Sequence, residues 1–231
     1  MMKALILCGG LSTRLGDITK SLPKILLDIA GKTVLERQIE MLAAAGVDEV
    51  YLASGHLHEE LEKAVGSEVD GMPIKYVQEH KKLGTGGAIK NGLNHIGSYP
   101  VIVLNGDILL ETSLKEMGEA LTPDMEGLLL AVEVPDARSY GRLIFDENVL
   151  HIERFVEKDP THEGPGYING GIYIFNKGVE SYFPEEDAFS IEYNVFPHVK
   201  KLHAFPYKGV WIDIGTPERL SFAREELFVN R

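Results

Sequence analysis

Cysteine is almost missing from this chain: Cys8 stands alone among 231 residues. An internal disulfide framework and a cysteine-rich zinc cluster are therefore excluded, and Cys8, inside an apolar run, reads as a small core residue. Positive charge is also short. Lys and Arg number 23 against 35 Asp and Glu, a formal charge of -12, which is the wrong balance for a general nucleic-acid binder. A protein that handles small phosphorylated molecules tolerates that balance if its pocket holds a few Lys or Arg and a metal. Long apolar runs are lacking too. Polar loops interrupt every apolar stretch before it could cross a bilayer, and the opening MMKALILCGG has no basic region ahead of an extended apolar segment, so no membrane partner is expected and a cytoplasmic location follows by default. Tandem repeats, heptads and low-complexity tracts are absent.

What remains is a regular alternation. Lys3–Leu7 reads as a strand ending in a glycine loop, Thr33–Ala45 as a helix stopped by Gly46, and Val50–Ala53 as a strand. His58–Val65 follows as a helix, Ile74–Gln78 as a strand, Gly86–Gly92 as the start of a helix and Val101–Leu104 as a strand delivering Asn105-Gly106-Asp107. Short, wholly apolar strands alternating with amphipathic helices predict an α/β fold: a mainly parallel central sheet flanked by helices, Rossmann-like, with ligands outside the carboxyl ends of its strands. After about Leu128 the rhythm changes. Leu128–Val134, Gly141–Phe145, Ile152–Phe155 and Gly171–Phe175 are short β-like runs with little helix between them, and they predict a smaller antiparallel or mixed lid region that extends the main sheet and covers the pocket. Pro217–Phe228 predicts a closing helix with Pro in its first turn. The length suits one domain over residues 1–231, divided into 1–127, 128–216 and the terminal segment 217–231.

The stretch GGLSTRLGDITKSLPK, Gly9 to Lys24, carries most information. Leu7 ends the strand; Gly9 and Gly10 then let backbone N–H groups turn toward an anion without side-chain obstruction. Ser12 and Thr13 add hydroxyls, Arg14 a planar fork of donors, and Lys24 a mobile charge behind Pro23. Neither the G-x-G-x-x-G dinucleotide fingerprint nor the G-K-[ST] phosphate loop is present, which disfavours a hydride-transfer enzyme and an ordinary nucleotide hydrolase. His56 and His58 flank Leu57 without a cysteine cluster, so no transition-metal site is expected.

These residues resemble the sugar-1-phosphate nucleotidyltransferases. The likeness continues through LGTGGAI (83–89), LNGD (104–107), FVEK (155–158), INGGIY (168–173) and WIDIGTPE (211–218), and so spans nearly the whole chain. One departure is Ser12, where the family pattern prefers glycine. The resemblance implies transfer of a nucleoside monophosphate to a sugar 1-phosphate with release of pyrophosphate. It implies a catalytic Mg²⁺ held by Asp107 and Asp213, whose two carboxylates would otherwise repel. Arg14, Lys24 and Lys158 become the catalytic cations, and 1–127 and 128–216 become the nucleotide and sugar-phosphate parts.

For the nucleotide, the resemblance points to Leu7, Gly9, Gly10, Ser12, Thr13, Gln78, Glu79, Gly84, Thr85 and Gly86. Gly84, Gly86 and Gly87 would admit a flat base close to the backbone, and the polar residue five positions before Gly84 is Glu79. A carboxylate accepts the adjacent N1–H and N2–H of guanine and repels the carbonyls of a pyrimidine, so GTP is preferred. A register one residue earlier would use Gln78 and admit a pyrimidine. Asn105, Tyr140, Gly141, Glu157, Asn169 and Trp211 form the expected sugar side. The set, with FSIEYNVFP (189–197), resembles most the branch activating heptose 1-phosphate with GTP, with mannose-1-phosphate guanylyltransferases near. Alternatives are a uridylyl- or thymidylyltransferase acting on glucose, N-acetylhexosamine or muramic acid 1-phosphate, and a non-catalytic sugar-nucleotide sensor. No appended acyltransferase coil is expected after the closing helix, and the oligomeric state is left open, a homodimer included.

Overall fold

The computed structural model describes residues 2–10, 12–111, 114–138, 140–156, 161 and 164–228. In chain order, β1 (Met2–Leu7) leads to a small hairpin of β2 (Asp28–Ile29) and β3 (Lys32–Thr33), then α1 (Val34–Ala44), β4 (Val47–Ser54) and α2 (His58–Val65). Next come β5 (Glu68–Val69), β6 (Met72–Gln78), α3 (Gly84–Ile96), β7 (Val101–Asn105), β8 (Ile108–Leu110), α4 (Lys115–Ala120) and β9 (Gly127–Val134). The rest holds β10 (Arg142–Phe145), β11 (Ile152–Val156), β12 (Gly166–Phe175), α5 (Ile191–Asn194), β13 (Leu202–Tyr207), β14 (Trp211–Asp213) and α6 (Pro217–Phe222).

One large sheet runs in the order β11-β10-β12-β7-β1-β4-β6-β5, with β9 against β12 and β13 against β9. β1 lies parallel to both β4 and β7, and β4 parallel to β6. The chain thus leaves β1 in one direction across the sheet and returns to its other side with β7, which opens a crevice at the carboxyl ends of these strands. The wholly apolar composition of β1 and β7 has its cause here. Ala4, Leu5, Ile6 and Val101 to Leu104 are buried, with Ile6 and Leu104 packed among α1 residues Leu35, Ile39 and Leu42, and Leu5 and Val103 among α3 residues Ile89 and Leu93. At the crossing with α3, a Cβ on Gly92 would lie 2.3 Å from Leu5 Cδ2, so only glycine permits that approach. The start of α1 is fixed by a capping box: Thr33 Oγ1 accepts from Glu36 N at 3.1 Å, and Glu36 Oε2 accepts from Thr33 N at 2.6 Å.

The second half forms a mixed lobe that extends the main sheet, as its strand pattern predicts. β12 is twice the length read from the sequence, and its last four residues pair antiparallel with β7 inside the main sheet. Between Asn169 and Tyr173 its register with β9 shifts, and Gly171 there has φ +73°; β9 lines one edge of the strand on both sides of this irregularity, while the other edge passes from β7 at Ile172–Phe175 to β10 at Ile168. β13 lies outside the runs read as strands in the sequence. It is an edge strand whose ladder is with β9; its other edge carries a bridge from His203 to His151 and the bond from Ala204 N to Leu150 O at 2.7 Å, and Pro206 follows them, where a missing N–H is tolerated. The closing segment is α6 followed by a wider helical turn over Ala223–Leu227, not one regular helix. Among the described residues no helix is long and apolar enough to cross a membrane.

Candidate active site

The loop after β1 keeps the expected glycines and adds one constrained residue. Ser12 adopts φ +49°, the left-handed region where a β-carbon is disfavoured, so the departure from glycine falls at a position that wanted glycine. A short helical turn over Thr13–Thr19 follows, tied back by Leu15 N to Ser12 O at 3.0 Å and Thr19 Oγ1 to Ser12 O at 3.2 Å. Thr13 and Arg14 are exposed. Cys8 donates from Sγ to Ala53 O at 3.2 Å, and burial, reinforced by the Glu79 carboxylate, pushes its thiol pKa far up; it is a core thiol rather than a nucleophile.

Two strands that meet at the crevice carry the aspartates. Gly106 N donates to Leu7 O at 2.9 Å, and a Cβ at Gly106 would lie 2.8 Å from that oxygen, so the turn carrying Asp107 sits directly on the end of β1. β14 pairs antiparallel with β8, setting Asp213 opposite Ile108, and Ile214 N donates to Asp107 O at 2.9 Å. Residues remote in sequence therefore stand side by side. Each carboxylate meets a cation: Lys24 Nζ lies 2.6 Å from Asp107 Oδ2, and Arg219 Nη1 donates to Asp213 Oδ2. Arg14 reaches the same place. A Cβ on Gly215 would lie 2.8 Å from Asp213 Oδ1 and 3.1 Å from Arg14 Nη2, so carboxylate and guanidinium flank Gly215.

Behind the Asp107 turn stands Gln38, which the sequence reading overlooked as one more helix residue. It is 1% exposed, and its Nε2 donates to Asn105 O at 3.0 Å and Ile108 O at 2.9 Å, the carbonyls on either side of Gly106-Asp107. Its Oε1 is buried with no hydrogen-bond partner among the described residues, a cost of about 1–3 kcal/mol that the two donated bonds offset.

The base-reading candidates separate clearly. Gln78 is exposed at the end of β6, paired with Ser54. Glu79 N donates to Ser54 O at 2.7 Å, and its carboxylate turns onto the glycine loop: a Cβ at Gly9 would lie 2.7 Å from Glu79 Oε1. Burial raises the Glu79 pKa above the ordinary carboxylate value, against a lowering hydrogen bond from Leu83 N–H. A cleft of about 440 Å³ opens beside it, with Gln78, Glu79, Leu83 and Gly87 among its walls. A smaller one, about 310 Å³, lies between α1, β8 and Phe228, and neither cleft has Asp107 or Asp213 in its walls.

The reason expected for the next glycines is corrected. Space at Gly84, Gly86 and Gly87 is filled by protein, because added β-carbons would fall 2.6 Å from Phe189 O, 2.3 Å from the Phe189 ring and 2.1 Å from Asp187 O. Gly86 N and Gly87 N both donate to Phe189 O, at 2.9 and 3.3 Å. Thr85 Oγ1 donates to Glu192 Oε2 at 2.7 Å and accepts from Ile191 N at 3.0 Å. Residues 84–87 anchor the start of α3 to residues 187–192, the glycines by lacking a side chain and Thr85 through its hydroxyl.

On the sugar side, Tyr140 and Trp211 meet edge to face with ring centroids 6.1 Å apart, and Trp211 Nε1 donates to Gly170 O at 2.9 Å. Gly141 precedes β10 beside them, its nearest neighbour for an added Cβ being Val156 O at 3.5 Å. Asn169 donates to Tyr173 OH at 3.0 Å and accepts from Gly171 N at 2.9 Å, while a Cβ on Gly171 would strike Asn105 Nδ2 at 2.7 Å. Asn105 and Asn169 thus border one short stretch of backbone. Glu157 and Lys158 lie outside the described residues.

A model of the nucleotidyl transferase family matches residues 3–228. The chain belongs to the nucleotidyl transferase family. Among similar nucleotidyl transferases are mannose-1-phosphate guanylyltransferase 1 of Arabidopsis thaliana, 37% identical over 94% of this chain and 62% of the relative, and the mannose-1-phosphate guanylyltransferase catalytic subunit beta of Drosophila melanogaster, 35% identical over 94% and 60%. This chain spans about 62% of the length of such curated relatives. HddC from Yersinia pseudotuberculosis, solved in complex with GMP-PN, superposes with a TM-score of 0.84 at 35% identity, covering 98% of this chain and 100% of that one. Within this nucleotidyl transferase no group of three or more His, Cys, Asp or Glu is gathered among the described residues. The Asp107–Asp213 pair still fits a hard cation that takes one or two carboxylates and completes its shell with phosphates and water.

Proposed function

We propose that this nucleotidyl transferase condenses a nucleoside triphosphate, GTP by preference, with a heptose or mannose 1-phosphate to give the nucleoside diphosphate sugar and pyrophosphate, with Mg²⁺ as cofactor. What carries the reading is the convergence of Arg14 and Lys24 on Asp107 and Asp213 at the carboxyl ends of β1 and β7. The choice of GTP is supported by the Glu79 carboxylate at Gly9, an acceptor-only group suited to two neighbouring N–H donors. The relatives named for guanylyl transfer agree with it.

The nucleophile, an oxygen of the sugar 1-phosphate, is already anionic, so no protein base is needed. It attacks the α-phosphorus in line, forming one P–O bond as the bond to the β-phosphate oxygen breaks, and pyrophosphate leaves with the electron pair. The obstacle is repulsion between anions, and catalysis consists of positioning and charge neutralisation. Arg14 binds the β- and γ-phosphates and meets the charge on the leaving group. Lys24, held by Asp107 in the ligand-free protein, turns to a phosphate oxygen when the nucleotide arrives. Lys158 holds the acceptor phosphate by the family resemblance. Mg²⁺ held by Asp107 and Asp213 would supply Lewis-acid neutralisation of phosphate oxygens. Tyr140, Trp211, Asn105 and Asn169 border the sugar. Both substrates are small metabolites, and we assign the reaction to the cytoplasm with no nucleic-acid or membrane partner.

The test is a matrix of GTP, UTP, dTTP, CTP and ATP against heptose, mannose, glucose and N-acetylhexosamine 1-phosphates, following pyrophosphate with and without Mg²⁺. GTP with heptose or mannose 1-phosphate should lead, and only with the metal. A lead for UTP or dTTP would return base recognition to Gln78. Tight sugar-nucleotide binding without turnover for any pair would make the protein a sensor.

A further inference from the structure

Arg219 belongs to none of the motifs singled out in the sequence, yet it touches both halves of the site. It sits in the first turn of α6, with its backbone N–H donating to the Thr216 cap at 3.4 Å. Its guanidinium reaches Asp213 through Nη1 and at the same time lies over the Tyr140 ring, 5.2 Å from the centroid. Tyr140 in turn packs on Trp211. One planar cation therefore spans the gap between the aspartate proposed to hold the metal and the aromatic wall proposed to hold the sugar. An acceptor phosphate, joined to the sugar on one side and aimed at the metal on the other, has to occupy that gap.

The charge balance points the same way. Arg219 pairs with Asp213 directly, and Arg14 stands beside the same glycine, Gly215, that Asp213 borders, so two guanidinium groups stand near one carboxylate. A divalent cation taking Asp213 spends that carboxylate and leaves Arg219 held over Tyr140 without its anion. We infer that Arg219 binds the phosphate of the acceptor sugar 1-phosphate, and that in the ligand-free protein Asp213 occupies it as an internal stand-in for that phosphate. The guanidinium fork matches a phosphate bidentately, as it matches a carboxylate. The inference rests on the proposed function and deepens it by adding a second acceptor-phosphate ligand on this chain.

The experiment compares wild type with Arg219→Ala and Arg219→Lys. Steady-state kinetics give separate KM values for GTP and for mannose or heptose 1-phosphate, and electron paramagnetic resonance titration gives Mn²⁺ binding to the substrate-free protein. For Arg219→Ala the KM of the sugar 1-phosphate should rise about 10- to 100-fold, the scale of losing a charge-assisted bidentate contact, while the GTP KM stays within about twofold. Mn²⁺ should bind the free variant more tightly than wild type, because the competing guanidinium is gone. Arg219→Lys keeps the charge and loses the fork, so its acceptor KM should lie between the two; it also keeps the test intact should the alanine variant fail to fold. An unchanged acceptor KM, or a rise shared equally by GTP, overturns the inference while leaving the proposed function standing. Absence of wild-type turnover with every substrate pair removes that function, and the inference with it.

Discussion

Glu79 is the side chain on which the proposed reading of the base rests. Its carboxylate rests against Gly9, and burial lifts its pKa above the ordinary 4.5. The sign of the consequence follows from linkage. The folded protein holds this proton at pH values where the unfolded chain has released it, so Glu79's own contribution to stability is present at acid pH and declines as pH rises from about 4.5 through the raised value. Base recognition runs in the opposite direction, because only the ionised carboxylate accepts both guanine N–H groups. The GTP KM should therefore rise as pH falls through the Glu79 titration. Glu79→Gln should raise the GTP KM roughly tenfold, the scale of one charge-assisted hydrogen bond, remove that pH dependence, and narrow the gap between GTP and UTP. A Glu79→Gln enzyme with the wild-type pH profile for GTP would take the residue out of base reading.

Elements act here through close contacts that only particular residues allow. The start of α3 is pinned to residues 187–192 through glycines, and Gly87→Ala would drive a Cβ to 2.1 Å from Asp187 O. Overpacking against backbone should cost about 1–3 kcal/mol, a drop of several degrees in Tm. Gly118 in α4 is the control: its nearest neighbour is Met2 Cε at 3.7 Å, and alanine there should hold or raise Tm. Equal melting of the two variants would refute the pinning. α1 acts on the site through Gln38, whose two donated bonds bracket the Asp107 turn. Gln38→Leu also removes the unpartnered Oε1, so its stability loss should stay near 1 kcal/mol. With the turn loosened, kcat should fall about 10-fold or more at an almost unchanged GTP KM. A loss of Tm with normal kcat would make Gln38 a core residue and nothing more.

At the scale of the molecule, the sheet does not divide where the sequence rhythm changes. β12 pairs with β7 in the middle of the main sheet, with β9 along its opposite edge and with β10 past the end of β7, and the hydrophobic clusters on both sheet faces draw residues from both halves of the chain. Unfolding should accordingly be one cooperative event. Differential scanning calorimetry should show a single transition with calorimetric and van't Hoff enthalpies in agreement. Two resolved transitions, the earlier tracking residues after 127, would make the second half a separate unit and overturn the single domain.

Sequence alone determined whatever depends on near neighbours along the chain. The apolar runs of β1 and β7, the capping box of α1 and the order of the glycine and acidic motifs are local patterns, so period and spacing reveal them. Burial on both faces leaves β1 and β7 little freedom to be anything else. Tertiary structure alone decided which distant residues meet. The pairing of β8 with β14 sets Asp213 beside Asp107, a two-strand contact without local periodicity. It also set Arg219 against Asp213 and Tyr140, Gln38 behind the Asp107 turn, and Phe189 and Asp187 in the space of three glycines. A side chain's partner across the fold is fixed by how the elements stack, and spacing along one strand or helix does not encode it.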